Sequence, residues 1–422
     1  MAEETLLTDD FLRQLINVGE VDILVGLPTY NNAPTIQPVI AAIQAGILKF
    51  FPRERAVIIN ADGGSQDGTP ALVTGASIDD VWRASKVYAL RTLHSITTQY
   101  ARTPEPGTAL RTILAAADLL RAKACVVVSP DSTTMEPEWL QRLVRPIYND
   151  SFDLVSPTYR RQKFSGVLMR NLLYPMTRAI YGYGVREPYA SEFAVSSRLA
   201  TDFLGKETWN DDVGRIGAEI FLTVAAITGQ YRVCQAFLGI KTQADRSATD
   251  LVDAMRSTVG ALFSSLEANF SVWSAIAGSQ PLPTIGPQSE VTLEPVAVDL
   301  NRIHDMFATG VGELEPVFRS ILSASTLAEL KQIAALDLSH FHYPPETWAK
   351  TVFEFTASYH KAVINRDHIV QALVPLYRGR ALTFLLEHQD GSAEDIEKSV
   401  ESLCVEFERL KPYLLEVWAD RK

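Results

Sequence analysis

Ala124-Cys-Val-Val-Val-Ser-Pro-Asp-Ser-Thr-Thr134 is the stretch that decides the fold class of this chain. Its β-branched first half is typical of a buried strand, and its polar second half is typical of the loop that follows one. Two more apolar runs, at residues 21–28 and 56–60, have the same form. Further strands are predicted at 86–93 and 153–157, and helices at 9–18, 35–49, 107–123 and 138–148. This alternation predicts an α/β fold with an open, mostly parallel sheet and helices on both faces.

The pattern changes at about Thr249. From there, segments with helical spacing dominate, namely residues 250–274, 299–325, 327–338, 345–364, 368–389 and 392–418. Residues 280–295 are rich in Pro, Gly and Ser and are predicted to form a linker or loop. The sequence therefore predicts an α/β domain over residues 1–248 and an all-helical C-terminal domain over residues 249–422.

The charge and composition of the chain exclude several classes of protein. The net charge of -11 over 422 residues argues against a nucleic-acid partner, although local basic residues can still form a pocket for a small anion. The N-terminus is acidic and amphipathic, unlike a signal peptide, and no run reaches the 18 or more apolar residues of a membrane span. Three widely spaced cysteines without CxxC spacing are predicted to be buried thiols. We therefore expect a soluble, cytoplasmic protein.

Three polar loops follow predicted strands, at residues 28–32, 61–69 and 130–134. Parallel strands end at one edge of a sheet, where open α/β sheets bind their ligands, so we expect the loops to gather there. Tyr30 could stack on a base, Asp62 could accept hydrogen bonds from uracil or guanine, and Asp131 could bind a divalent cation that bridges two phosphates. Each also has a simpler interpretation, because turn residues and strand-end caps look alike in sequence.

Taken together, the loops Val25-Gly-Leu-Pro-Thr-Tyr-Asn-Asn32, Asn60-Ala-Asp-Gly-Gly-Ser-Gln-Asp-Gly-Thr69 and Asp131-Ser-Thr133 resemble the family-2-like GT-A glycosyltransferases. The resemblance is strongest to the bacterial branch of glucosylglycerate, glucosyl-3-phosphoglycerate and mannosylglycerate synthases. It continues through Ser156-Pro-Thr-Tyr-Arg-Arg161, Tyr174-Pro-Met-Thr-Arg-Ala-Ile-Tyr181, Pro188-Tyr-Ala-Ser-Glu-Phe193, Val233-Cys-Gln-Ala-Phe-Leu-Gly239 and Leu373-Val-Pro-Leu-Tyr-Arg-Gly-Arg380. It implies the GT-A fold, a Rossmann-like sheet that binds a nucleotide-diphospho-sugar.

The resemblance also implies roles for individual residues on the donor side. Pro28, Tyr30 and Asn31 would form the first wall of the nucleotide pocket, and Asp62 would bind the base. Asp131 would begin the family's Asp-x-Asp motif and contact the ribose or a metal ion.

On the acceptor side, the resemblance places Glu192 against acceptor or sugar hydroxyls. Arg160 and Arg161 would hold an acidic acceptor such as glycerate. Asp212 and Glu219 would border the acceptor and the donor sugar, and with Glu192 they are the catalytic candidates. Members of this branch retain the anomeric configuration, so the resemblance implies retention.

Departures from the family pattern concern the metal. Thr133 stands where the second Asp of Asp-x-Asp is expected, and Gln243 stands at the usual His position. Losing two ligands should weaken the binding of Mg²⁺ or Mn²⁺ sharply and leave Asp131 as the remaining candidate ligand. A Lys that relatives carry is also absent from residues 106–109. Positive side chains could neutralise the diphosphate instead, with Lys241, Arg246 and Arg215 as the candidates.

The sequence thus predicts a hexosyltransferase that uses a UDP- or GDP-sugar and a small acidic acceptor. Its C-terminal helices could form a lid, a packing layer or a homodimer interface. A catalytically silent protein of the same fold, which binds a nucleotide or sugar or acts as a scaffold, is the alternative that the missing metal ligands suggest. A nucleotidyltransferase would need a Gly-rich, Lys-containing N-terminal loop, which this sequence lacks.

Overall fold

The computed structural model describes residues 7–75, 93–100, 106–206, 209, 217–241, 248–286 and 298–420. The chain forms two compact units. The first, here called the sheet unit, comprises Met1–Arg160, Tyr189–Thr242 and Leu282–Ser289. The second, called the helical unit, comprises Arg161–Pro188, Gln243–Pro281 and Glu290–Lys422.

The sheet unit is built on eight strands in the order β3-β2-β1-β4-β6-β5-β7-β8. Only β6 runs antiparallel to its neighbours, β4 and β5. Apolar side chains of the strands are buried by helices, and Val25, Ile58 and Val126 lie in one hydrophobic core. The strands are β1 Ile23–Thr29, β2 Ala56–Asp62, β3 His94–Gln99, β4 Ala124–Val127, β5 Leu154–Arg160, β6 Phe193–Ser196, β7 Val233–Ile240 and β8 Thr284–Ile285.

Two helices of the sheet unit begin with a side-chain cap. The Thr8 side chain accepts from the Phe11 N–H at the first helix, and the Ser196 side chain accepts from the Leu199 N–H where β6 passes into a helix. The helices are Asp9–Val18, Ala33–Phe50, Thr69–Gly75, Pro106–Leu119, Glu138–Asp150, Ser197–Leu204 and Ala218–Thr228. These elements confirm the predicted mostly parallel α/β sheet.

The helical unit contains only helices and short connections among its described residues, apart from an isolated bridge between Tyr183 and Gln280. Its α-helices are Tyr174–Tyr181, Ala248–Met255, Ala261–Ala268, Phe270–Trp273, Leu300–Glu313, Glu315–Ile321, Ala324–Ala334, Pro345–Lys361, Arg366–Glu387, Ala393–Arg409 and Lys411–Ala419. Two π-helical turns, Met169–Leu173 and Arg256–Gly260, precede α-helices. The predicted helical C-terminal region is therefore confirmed.

Helix Arg366–Glu387 is the one helix, within the part of the chain that is described, whose length and composition would allow it to cross a membrane. However, 78% of its most apolar 18-residue stretch is buried inside the protein. Its buried Arg380 donates to Asn171 Oδ1 at 3.0 Å and to the Tyr343 carbonyl at 3.1 Å. This is the environment of a core helix.

The two units interleave along the chain, whereas the sequence predicted one division after residue 248. Residues 161–188 belong to the helical unit because Tyr174 packs in a core with Phe384, Ile396 and Cys404. Residues 282–289 belong to the sheet unit because β8 pairs with β7. The predicted linker at 280–295 thus contains the edge strand of the sheet.

Candidate functional site

The three polar loops that follow β1, β2 and β4 meet at the carboxyl edge of the sheet, as the sequence predicted. The parallel register pairs Thr29 with Asp62, so the first two loops start at the same level. The Asn31 N–H donates to Ser65 Oγ at 2.8 Å, and the Asn32 side-chain amide donates to Asp131 Oδ1 at 2.9 Å. Asn32 therefore ties the third loop to the first, a role that its local sequence does not predict.

Asp62 holds the second loop in shape. The side chain is buried, and its Oδ1 accepts from Thr29 Oγ1 at 2.9 Å and Ser65 Oγ at 2.6 Å. Its Oδ2 accepts from the N–H groups of Gly64 at 2.9 Å and Ser65 at 2.8 Å. Gly64 has φ 90°, a left-handed conformation that glycine adopts without strain. The observed role of the carboxylate is to cap its own turn, and its contact with a base stays a prediction.

Tyr30 is the exposed aromatic residue of the first loop, with 48% of its surface accessible. The loop is held behind it: the Tyr30 N–H donates to Asn32 Oδ1 at 2.7 Å, and Asn31 takes a left-handed φ of 55°. Asn31 Oδ1 also accepts from the Gln66 N–H at 2.9 Å. Pro28 lies within β1, opposite Ala61. The first loop is therefore a fixed support for an aromatic ring that remains available for stacking.

Asp131 lies exposed in the third loop, but one of its oxygens already accepts two hydrogen bonds. These come from Asn32 Nδ2 and from Thr35 Oγ1 at 2.8 Å. Among the described residues, no group of three or more His, Cys, Asp or Glu side chains could hold a metal ion. Gln243, at the predicted metal position, lies outside the described residues. The described donors do not fit a divalent cation bound by protein ligands alone, since hard cations take several oxygens.

Glu192 directly precedes β6, and none of its surface is accessible. Its carboxylate accepts hydrogen bonds from Ser132 Oγ, from the Tyr159 hydroxyl and from Lys241 Nζ, the last at 2.7 Å. Burial opposes ionisation, but Lys241 and the two hydroxyls outweigh it, so the pKa of Glu192 lies below its ordinary value. In this arrangement the Glu192 carboxylate is held by three protein donors, and its contact with acceptor or sugar hydroxyls stays a prediction.

This network also changes the role expected of Lys241. Its side chain is 9% exposed, its charge is compensated by Glu192, and its ammonium lies 4.9 Å from the centre of the Tyr159 ring. Lys241 is therefore not a free cation for a diphosphate. The two other cations considered for that role, Arg215 and Arg246, lie outside the described residues. The sequence does not predict that Ser132 and Tyr159 both donate to Glu192, because nothing in their local pattern indicates a partner that is distant in the chain.

Arg160 and Arg161 are adjacent in sequence but differ in environment. Arg160 Nη1 is buried and has no hydrogen-bond partner among the described side chains and backbone groups. Arg161 belongs to the helical unit, where its Nη2 and Nε bond the two oxygens of Glu187 at 2.7 and 3.0 Å. A bidentate, buried pair of this kind leaves Arg161 little capacity for an acceptor carboxylate. Of the two predicted residues, Arg160 keeps an unsatisfied donor.

Glu219 lies in the first turn of helix Ala218–Thr228, which leads directly into β7. Since β7 runs parallel to β5, the start of this helix lies toward the carboxyl edge of the sheet. Its Oε2 is buried without a partner in the described part of the chain. Burial raises the pKa of Glu219 from 4.5 to about 7, against a smaller opposing effect of its own backbone N–H. Asp212, the other candidate in this region, lies outside the described residues.

No family model and no curated protein matches the chain. It is similar to solved structures of glucosyl-3-phosphoglycerate synthase from Mycobacterium tuberculosis, the group that the sequence resembles. For the complex with Mn²⁺, UDP and glucosyl-3-phosphoglycerate, identity is 21%, coverage is 63% of this chain and 85% of that chain, and the TM-score is 0.43. For the complex with Mn²⁺, UDP-glucose and phosphoglyceric acid, these values are 20%, 63%, 85% and 0.43. Because these similarities are low, residue roles rest on the geometry of this chain.

Proposed function

We propose that this protein transfers a hexosyl group from a UDP- or GDP-sugar to a small acidic acceptor such as glycerate. The observation that carries the proposal is the set of three loops tied together at the carboxyl edge of the sheet. One loop presents an exposed Tyr30, and a glutamate with a pKa of about 7 lies toward the same edge. A base-stacking surface together with an ionisable carboxyl suits a transferase of activated sugars.

In this proposal the donor nucleotide is bound by the first two loops. Tyr30 stacks on the base, and Pro28 and Asn31 shape the wall behind it. Asp62 acts chiefly by fixing the conformation of the second loop. Other groups of this loop therefore form the hydrogen bonds to the base. Stacking on one aromatic ring contributes about 1–3 kcal/mol and tolerates different bases, which is consistent with leaving UDP and GDP both open.

Arg160 is proposed to neutralise the diphosphate. Its buried, unpartnered guanidinium nitrogen would donate a charge-assisted hydrogen bond to a phosphate oxygen. The similar solved structures contain Mn²⁺ with UDP. Of the two residues that the sequence predicted at a cation site, Asp131 and Gln243, the structure describes only Asp131. Since the described donors do not fit such an ion, we expect nucleotide binding to depend only weakly on Mg²⁺ or Mn²⁺.

Glu219 is proposed to act as the general base that accepts the proton of the acceptor hydroxyl. Transfer breaks the bond between the anomeric carbon and the diphosphate oxygen and forms a bond from that carbon to the acceptor oxygen. The acceptor hydroxyl loses its proton in this step, and a carboxylate with a pKa near the working pH is suited to receive it. Retention of the anomeric configuration is a further part of the proposal that follows only from the sequence resemblance. We also propose that the enzyme works in the cytoplasm, as a homodimer.

The proposal is tested by calorimetric titration with UDP, GDP and their hexose conjugates, each with and without Mn²⁺. We expect one nucleotide to bind under both conditions and to bind more weakly to Arg160→Gln. Arg142→Gln is a matched control, because Arg142 lies in the same unit and donates to the Phe237 carbonyl. Failure of every nucleotide to bind would contradict the proposal. Binding without sugar transfer to any acidic acceptor would favour the silent protein, the alternative that the unsuitable metal donors support.

A further inference from the structure

The helical unit contains a groove of about 640 Å³. It runs along helix Leu300–Glu313 beside Pro375 and Arg378 of helix Arg366–Glu387. The two helices approach closely because Gly310 has no side chain: a Cβ atom there would lie 2.4 Å from the Cβ of Pro375. Close backbone contact leaves little freedom for the helices to shift, so the groove has fixed walls.

Two arginines on different helices line this groove, Arg302 and Arg378. Neither guanidinium forms a hydrogen bond or an ion pair with any residue that the structure describes. Burial and the positive charge of Arg302 both lower the pKa of Arg378. The two side chains thus bring positive charge to the groove, beside the carboxylates that also line it. Paired guanidinium groups bind carboxylate and phosphate well because their donors match the geometry of the oxygens.

The remaining lining is acidic and apolar. Three carboxylates line the groove, those of Asp299, Asp305 and Glu313. Asp299 caps the helix by accepting from the Arg302 N–H at 3.0 Å, and Asp305 lies 3.7 Å from His304 Nδ1. Met306 and Pro375 supply apolar surface. Carboxylates are acceptors for hydroxyl groups, and apolar side chains pack against the carbon face of a sugar or polyol. An anionic group that also carries hydroxyls therefore matches this lining better than a bare anion, which the carboxylates would repel.

We propose that this groove binds a phosphorylated polyol such as a sugar phosphate, with the phosphate between Arg302 and Arg378 and its hydroxyls donating to Asp305 and Glu313. The groove lies entirely within the helical unit. Its volume is in the range of sites for small metabolites. This binding function is independent of the sugar transfer proposed for the sheet unit.

The test is calorimetric titration of the full chain with glucose 6-phosphate at constant ionic strength, with glucose as the uncharged probe. We expect glucose 6-phosphate to bind and glucose not to bind. Arg302→Gln and Arg378→Gln should each weaken binding at least about 10-fold, the loss of one charge-assisted contact. Arg319→Gln is the control, since Arg319 is exposed in the same unit and pairs with Glu315. It should leave the affinity unchanged.

A second pair of variants tests the carboxylates. Asp305→Asn and Glu313→Gln should tighten the binding of inorganic phosphate, because each removes a repelling charge, and should weaken the preference for glucose 6-phosphate over phosphate. Should Arg378→Gln fail to fold, Arg302→Gln decides, because its side chain is exposed. The proposal is overturned if wild-type protein binds no glucose 6-phosphate, if glucose binds equally well, or if affinity survives both arginine substitutions.

Discussion

Replacing Glu219 by Gln should make the protein more stable at alkaline pH and leave its stability at pH 4 unchanged. Burial raises the pKa of Glu219 to about 7 in the folded chain, and the ordinary value of 4.5 applies to the unfolded chain. The folded chain therefore retains a proton between these values that the unfolded chain has lost. Stability must then fall as the pH rises from about 4.5 to about 7.

The size of this effect follows from the same two values. Their difference corresponds to about 3 kcal/mol at about 1.36 kcal/mol per pH unit, and this is an upper limit because the buried carboxyl can relax toward water. Gln keeps the shape of the side chain but carries no charge. Above pH 8 the free energy of unfolding of Glu219→Gln should therefore exceed that of the wild type by up to about 3 kcal/mol. Urea unfolding of both proteins between pH 4 and pH 9 measures the difference.

The control is Glu138→Gln, in the first turn of another helix of the sheet unit. Lys49 lowers the pKa of Glu138, so this variant should gain no stability at alkaline pH. If Glu219→Gln and wild-type protein show the same pH dependence, Glu219 is an ordinary carboxylate and its proposed role in proton transfer is unsupported.

Three further predictions concern the sheet unit. Asp62→Ala should cost about 2–4 kcal/mol of stability, because three donors of the second loop lose their acceptor; an unchanged urea midpoint would refute the capping role. Glu192→Gln should destabilise by about 3–5 kcal/mol by leaving Lys241 buried without a counter-charge, and adding Lys241→Met should restore much of this loss. A double-mutant cycle without coupling would contradict it. Tyr30→Ala should weaken nucleotide binding about 10-fold or more, whereas Tyr30→Phe should not; equal affinities in calorimetry would exclude stacking.

Much of the sheet could be predicted from the sequence because buried parallel strands and their helices leave strong periodic patterns. Residues 56–60, predicted as a strand, lie in β2, and the first four residues of the predicted strand 124–129 form β4. The short antiparallel β6 was missed, since its four residues carry no alternation and its register is set by β4 and β5. Most of the predicted third strand lies outside the described residues, and β3 begins at His94.

The site was predictable only as far as local chemistry allowed. The topology of a parallel sheet predicts that the loops after β1, β2 and β4 meet at one edge. The hydrogen bonds between these loops confirm this prediction. Whether a charged side chain is free or already paired depends on residues distant in sequence. Glu192 and Lys241 are 49 residues apart, and their pairing cannot be deduced from either motif. The same holds for Arg161, whose partner Glu187 lies 26 residues away.

The measurement that tests the central claim most directly is a transfer assay. The protein is incubated with the hexose conjugate of the nucleotide that it binds and with glycerate or phosphoglycerate, and products are identified by mass spectrometry. We predict a glycosylated acceptor together with free nucleoside diphosphate, at a rate that falls sharply in Glu219→Gln and Arg160→Gln and is unchanged in Glu138→Gln. If the nucleotide sugar binds and no acidic acceptor is ever glycosylated, the protein is a binding protein and not the transferase proposed.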